Sequence, residues 1–218
     1  MKVAVVASGD LDPADAGWLN GADLVVAADG GATALERLGR RPDVLIGDLD
    51  SADGALVERL MRAGVRVERH PTDKEASDTE LALAAAVAAG ADEIVVLGAI
   101  GGDRLDHELA NVLLLADPAL EGHDVRVVHA GNVVRLVRSG EVRALDGHVG
   151  DLVTLLPIGG EAFGVTTHGL RWPLPAATLR MGRSRGLSNE IVMTPASVRL
   201  ESGLLLVIER AGREEPIT

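Results

Sequence analysis

Val44-Leu45-Ile46-Gly47-Asp48-Leu49-Asp50-Ser51 joins a short apolar run to two carboxylates that stand two residues apart. An apolar run of this length that stops at glycine and acid fits a buried strand ending at the rim of a sheet. In an extended segment residues two apart face the same side, so Asp48 and Asp50 would hold one cation together. On this stretch alone the plainer account is a strand that ends in a polar turn, with Asp50 or Ser51 capping the next helix.

Similar runs lie on either side. Residues 2–7, 24–28, 65–68, 93–97 and 125–128 read as further buried strands. Helical patterns fall between them at 13–19, 32–38, 53–63, 78–89 and 106–116. Six short strands alternating with helices predict a mostly parallel sheet covered on both faces. After about Ala130 the pattern changes. Candidate strands at 133–137, 142–145, 152–156, 165–167, 189–193, 197–200 and 204–208 recur every ten residues or so, divided by turns such as Ser139-Gly140 and Ser202-Gly203. That spacing predicts an antiparallel sandwich with no helix. The expected fold class is therefore α/β: an N-terminal doubly wound, mostly parallel sheet (Rossmann/flavodoxin-like) over 1–130, and a C-terminal antiparallel β-sandwich over 131–218.

Composition narrows the functions open to such a chain. Its 218 residues carry 33 acidic against 21 basic side chains, a net charge of −12. A surface of that sign repels phosphate backbones and anionic lipid, which argues against nucleic-acid or membrane partners. There is no cysteine, so disulfides, thiolate metal sites and a cysteine nucleophile are excluded. The apolar run at 3–7 is too short for a signal peptide and the one at 81–89 too short to span a bilayer, and the expected location is the cytoplasm. With two Trp, one Phe and no Tyr, the core must be aliphatic, and an aromatic side chain in a loop is conspicuous.

In an open parallel sheet, ligands bind beyond the carboxyl ends of the strands. Acidic residues recur at those ends: Asp29 after the second strand, Asp48 and Asp50 after the third, Asp73 and Asp78 after the fourth, Asp103 and Asp106 after the fifth. Asp78 and Asp106 also stand where helix caps are expected. Several carboxylates on one rim need more than capping, since a pair about 4 Å apart repels by roughly 4 kcal/mol at an effective dielectric near 20. A divalent cation removes that cost, and oxygen ligands without His or Cys favour Mg²⁺ shared with substrate phosphates. Gly30-Gly31 and Gly101-Gly102 would let backbone approach a ligand, with adjacent helix starts offering N–H groups to phosphate. Lys74 and Arg104 are candidates to clamp phosphate oxygens, against the commoner role of a lone loop cation as a solvated side chain. Neither GxxxxGK[ST] nor GxGxxG occurs. In the second half, Trp172 precedes Pro173 in a loop and fits either a packed side chain or a stacking platform for a flat or cationic ring.

Asp29-Gly30-Gly31-Ala32, Pro42-Asp43 through Ser51, Asp78-Thr79-Glu80-Leu81-Ala82-Leu83, Gly98 through Asp106-His107, and Ser188-Asn189-Glu190 together resemble the thiamine pyrophosphokinase family in order and spacing. The resemblance implies an ATP- and Mg²⁺-binding α/β domain at 1–130 and a thiamine-binding β-sandwich at 131–218. It implies transfer of a diphosphate group from ATP to the thiamine hydroxyl, giving thiamine diphosphate and AMP. It also implies a homodimer with active sites at the subunit interface. Carried over by position, Asp48, Asp50 and Asp78 would be the catalytic and metal-binding acids. Asp29, Gly30, Gly31, Lys74, Gly101, Gly102, Arg104 and Asp106 would bind ATP, and Trp172, Ser188 and Asn189 would bind thiamine. The chain departs from the family pattern where Lys74-Glu75-Ala76-Ser77-Asp78 replaces Lys-Asp-x-Thr-Asp, and where Asp103 stands before Arg104. Two other readings of the same residues are a pyrophosphokinase of related fold acting on a hydroxymethylpterin and a non-enzymatic receiver-like Mg²⁺-binding domain. The receiver reading lacks a lysine after the fifth strand, where Gly98-Ala99 stands, and leaves the second half unexplained.

Overall fold

The computed structural model describes residues 1–49, 53–71, 73 and 75–211 of the chain. It forms a mixed α/β protein of two units, Met1–Ala130 and Gly131–Thr218.

In the first unit, strands β1 (Lys2–Val6), β2 (Leu24–Ala28), β3 (Val44–Gly47), β4 (Arg66–Arg69), β5 (Glu93–Leu97) and β6 (Asp124–His129) pair in the order β4-β3-β2-β1-β5-β6. Every pairing is parallel. Consecutive residues from Val3 to Ala7, from Val26 to Ala28 and from Ile94 to Leu97 are all buried, so both faces of the central strands are covered. The β-branched runs serve that position because each residue packs whichever way it points. Edge strand β4 instead presents Arg66, Glu68 and Arg69, charges that discourage pairing with another chain. Helices α1 (Gly31–Arg37), α2 (Gly54–Arg62), α3 (Asp78–Ala88) and α4 (Leu105–Leu113) follow β2, β3, β4 and β5. Strand order reverses about β1, which sends its outgoing loop one way and that of β5 the other, and opens a crevice at the carboxyl ends.

The caps differ from the sequence expectation. The side chain of Asp53 accepts the Ala55 N–H at 2.9 Å to start α2, while the expected caps Asp50 and Ser51 lie outside the described residues. Ser77 Oγ accepts the Glu80 N–H at 3.2 Å to start α3, which makes Asp78 its first residue rather than its cap. Helix α4 has Arg104 at its N-cap and no side-chain cap hydrogen bond, so Asp106 does not cap it.

The second unit holds β7 (Asn132–Arg138), β8 (Val142–Ala144), β9 (Leu152–His168), β10 (Ala177–Leu179), β11 (Asn189–Glu190), β12 (Ser197–Arg199) and β13 (Ser202–Arg210), all paired antiparallel. Two expected strands, 152–156 and 165–167, are one. The glycines between them bend β9 rather than end it, with Gly159 and Gly164 at φ +69° and +64°. Its first part pairs with β13, its middle with β10 and its last residues with β12. The expected strand 189–193 shrinks to two residues plus a bridge between Leu170 and Ile191. The core is aliphatic throughout, built on Val153, Leu155, Val165, Leu179, Ile191, Val198, Leu200 and Leu205. A buried ion cluster lies beside it. Arg135, 3% exposed, donates to Glu209 Oε1 at 3.5 Å and to Asp146, while Glu209 Oε2 accepts the Asp146 and Gly147 N–H groups at 2.8 and 2.9 Å. Burial raises the Glu209 carboxyl above its ordinary range, outweighing the backbone N–H groups and Arg135 that oppose the shift.

Among the described residues no helix is long and apolar enough to cross a membrane.

Candidate active site

Three carboxylates converge at the carboxyl ends of β2 and β3 and the start of α3. One oxygen each from Asp29, Asp48 and Asp78 lies within 4.8 Å of the other two. Asp29 ends β2 in a left-handed conformation, φ +42°, held by its N–H to the Ile46 carbonyl at 2.8 Å. Gly47 makes room for it, since a Cβ there would lie 3.1 Å from the Asp29 Cβ. Asp78 is brought in by the Ser77 cap, which sets the direction of the first turn of α3. Parallel pairing of β2 with β3, Ala28 opposite Ile46, sets the spacing between the first two acids. Three oxygen donors so close together suit a hard divalent cation, which replaces their mutual repulsion by attraction.

The expected pairing of Asp48 with Asp50 falls on a residue outside the described ones. Strand β3 ends at Gly47, and Leu49 adopts φ +61°, so the segment is not extended there. A buried leucine takes this strained conformation because its side chain, 8% exposed, is pulled into the core. Asp50 and Lys74 lie outside the described residues.

The expected glycine contacts divide in two. Gly31 serves packing, for a Cβ there would stand 2.0 Å from the Val6 carbonyl oxygen, and Gly30 lies against Ser8. Gly101, at φ +90°, packs on Asp10, while Gly102, at φ +114°, faces open space. The loops after β1 and β5 lie backbone to backbone, with the Gly9 N–H on the Gly98 carbonyl at 2.8 Å. Arg104 is not a free clamp: its guanidinium is bidentate on Asp106 at 2.9 and 2.8 Å. The same hydrogen bonds hold the Asp106 carboxyl well below the usual carboxylate range.

Sequence reasoning missed a pocket of about 600 Å³ in this unit, lined by the loop from Ser8 to Pro13, by Gly30, Thr33 and Arg37, and by His129. Its one signal was Ser8-Gly9-Asp10, a polar turn directly after the first strand.

In the second unit Trp172, Ser188 and Asn189 do come together. They line a pocket of about 380 Å³ with Pro173, Leu174, Arg185 and Leu187. Trp172 is 59% exposed, with the Arg171 guanidinium 5.9 Å from the centre of its ring, and Arg171 is held by Glu190 at 2.9 Å. Asn189 is 7% exposed, and its amide clamps the loop. Its Oδ1 accepts the Trp172 N–H at 3.1 Å and the Glu190 N–H at 2.9 Å, and its Nδ2 donates to the Trp172 carbonyl at 2.8 Å. Ser188, at φ +55°, is fixed by its N–H to Thr154 Oγ1 at 3.0 Å. Asn189 thus holds the Trp172 backbone while lining the pocket beside it. Arg185 and Leu187 were missed because a lone Arg and Leu in a polar loop carry no spacing signal.

Comparison with known proteins decides the family. The model of the thiamin pyrophosphokinase catalytic domain matches residues 16–128, and that of the thiamin pyrophosphokinase vitamin B1 binding domain matches 142–205. The chain belongs to the thiamin pyrophosphokinase family. It is 25% identical over 208 residues to the thiamine pyrophosphokinase of Bacillus subtilis, covering 94% of this chain and 97% of that one. It is 26% identical over 213 residues to thiamine pyrophosphokinase 1 of Oryza sativa, covering 86% and 79%. Among solved structures, the thiamin pyrophosphokinase of Geobacillus thermodenitrificans superposes with a TM-score of 0.81 at 28% identity, covering 98% of this chain and 99% of that one. The Bacillus subtilis structure gives a TM-score of 0.85 at 23% identity over 97% and 99%, a likeness of fold.

Proposed function

We propose that the carboxylate cluster of the first unit and the Trp172 pocket of the second serve one reaction. The chain is a thiamine diphosphokinase, an ATP-dependent diphosphotransferase that moves a diphosphate group from ATP to the thiamine hydroxyl and releases AMP. The observation that carries the reading is the convergence of Asp29, Asp48 and Asp78 within 4.8 Å at the strand ends, in a chain that matches both models of this family in order.

Asp29, Asp48 and Asp78, with Asp50 beside them in sequence, would hold Mg²⁺. When bound, Mg²⁺ neutralises the ATP phosphates and the charge that develops on them during transfer. The chain's own part is positioning. The rigid ends of β2 and β3 fix two of the acids, and the Ser77 cap fixes the third. The Ser8–Pro13 loop, Gly30, Thr33 and Arg37 offer a concave surface for the nucleotide, and the family resemblance assigns Gly31, Gly101, Gly102, Lys74, Arg104 and Asp106 to ATP binding as well. To bind phosphate, Arg104 must exchange part of its fork on Asp106. Trp172, held by Asn189, offers its exposed face to the flat cationic ring of thiamine, the contact a tryptophan makes best. On this reading the first unit is a Rossmann/flavodoxin-like nucleotide domain over 1–130, the second a β-sandwich over 131–218, and the enzyme a cytoplasmic homodimer with active sites at the subunit interface.

The test is incubation with ATP, Mg²⁺ and thiamine, with the nucleotide products separated by ion-exchange chromatography. AMP is expected, and it should disappear in Asp48→Ala with the circular dichroism spectrum unchanged. Release of ADP would mean a single phosphoryl transfer and overturn the assignment.

A further inference from the structure

The Trp172 pocket contains a charge that its cationic substrate does not call for. In a chain of net charge −12, the lining of this pocket holds no carboxylate and one arginine, Arg185. Arg171 is matched by Glu190 at 2.9 Å and Arg180 by Glu161 at 3.5 Å. Among the described residues Arg185 enters no ion pair. Its loop is built rather than loose. The Gly186 carbonyl accepts the Leu155 N–H at 2.8 Å, and a Cβ at Gly186 would stand 2.1 Å from the Leu155 carbonyl oxygen, so the backbone beside Arg185 lies flat on β9. Two residues on, the Ser188 N–H is tied to Thr154.

An arginine on a tied backbone, lining the same pocket as an exposed indole, suits a ligand with two ends, a flat ring for the tryptophan and an anion for the arginine. Free thiamine supplies the ring but carries a positive charge, which Arg185 repels. Its phosphorylated form supplies both. We propose that Arg185 makes this pocket a site for the phosphorylated ring, so that the enzyme grips its product by the phosphate more tightly than its acceptor substrate. This rests on the reading that the pocket takes thiamine. It adds a specificity-determining residue on the product side, and a slow product release as its consequence.

Equilibrium dialysis in EDTA, without ATP, isolates this contact from any metal. Wild-type protein should bind thiamine monophosphate about tenfold more tightly than thiamine, the advantage of one exposed charge-assisted contact. In Arg185→Gln the two affinities should fall within about twofold of each other, and Arg185→Lys should restore part of the preference. Equal affinities in the wild type, or a preference that survives in Arg185→Gln, overturn the proposal. The AMP assay is independent. A wild-type enzyme that makes no AMP from thiamine yet shows the Arg185-dependent preference would refute the assigned reaction and leave the phosphate contact standing.

Discussion

Asn189 offers the sharpest test of how the second unit presents Trp172. Its side chain makes three hydrogen bonds, at 3.1, 2.9 and 2.8 Å, and is 7% exposed, so water does not replace them when they are lost. At about 1 kcal/mol for each bond, Asn189→Ala should cost about 3 kcal/mol of stability. Asn189→Asp is more informative. It keeps both acceptor bonds, but sets a carboxylate oxygen against the Trp172 carbonyl where a donor stood 2.8 Å away. Were the acceptor bonds all that mattered, the aspartate would equal wild type. Because the donor closes the clamp, it should lose about 2 kcal/mol and displace the indole. Urea unfolding reads the stability. Steady-state kinetics reads the position, with KM for thiamine rising at least tenfold and kcat falling less. An Asn189→Asp enzyme with wild-type urea midpoint and KM would refute both the clamp and the role of Trp172 that depends on it.

Two further outcomes follow from the packing. The Glu209 carboxyl is raised by burial, so between its ordinary range and its raised one the folded state keeps a proton that the unfolded chain has released. Stability contributed there is full at lower pH and declines as pH rises through that interval. The difference in unfolding free energy between wild type and Glu209→Gln should therefore change as pH rises above the ordinary carboxylate range and flatten once the buried carboxyl has ionised; a pH-independent difference would contradict the shift. Gly31→Ala should destabilise by about 3 kcal/mol, since its Cβ meets the Val6 carbonyl oxygen at 2.0 Å, whereas Gly54→Ala, with nothing within 4 Å at the start of α2, should be neutral or gain a few tenths of a kcal/mol. Thermal melts of the pair compare the two directly.

The sheet was legible because a parallel strand buried on both faces leaves an uninterrupted apolar run, and Val3 to Ala7 and Ile94 to Leu97 could hardly be anything else. The acids at strand ends were legible because topology alone sends them to one rim. Local geometry was not. That Leu49 turns left-handed, or that Ser77 rather than Asp78 caps α3, depends on which side chain the core claims first, and a sequence period does not carry that information. The length of β9 was hidden for a related reason: Gly159, Gly160 and Gly164 read as punctuation, and only partners on both sides of the bend turn them into a corner. The Arg104–Asp106 fork was missed because two expected ligand contacts can satisfy each other.

Strand β9 has a consequence for the order in which the protein can be made. It is the common partner of β10, β11, β12 and β13, and its long pairing with β13 joins residues 152–158 to residues 204–210. During synthesis its first half waits with unpaired edges while about fifty further residues are added, an interval of several seconds at ordinary elongation rates. The parallel sheet of the first unit, finished at His129, has all its strands long before then. A nascent chain arrested between β10 and β12 should thus hold one completed unit and one exposed, chaperone-dependent strand, and defects in the last strand should be felt as failed maturation of the second unit alone.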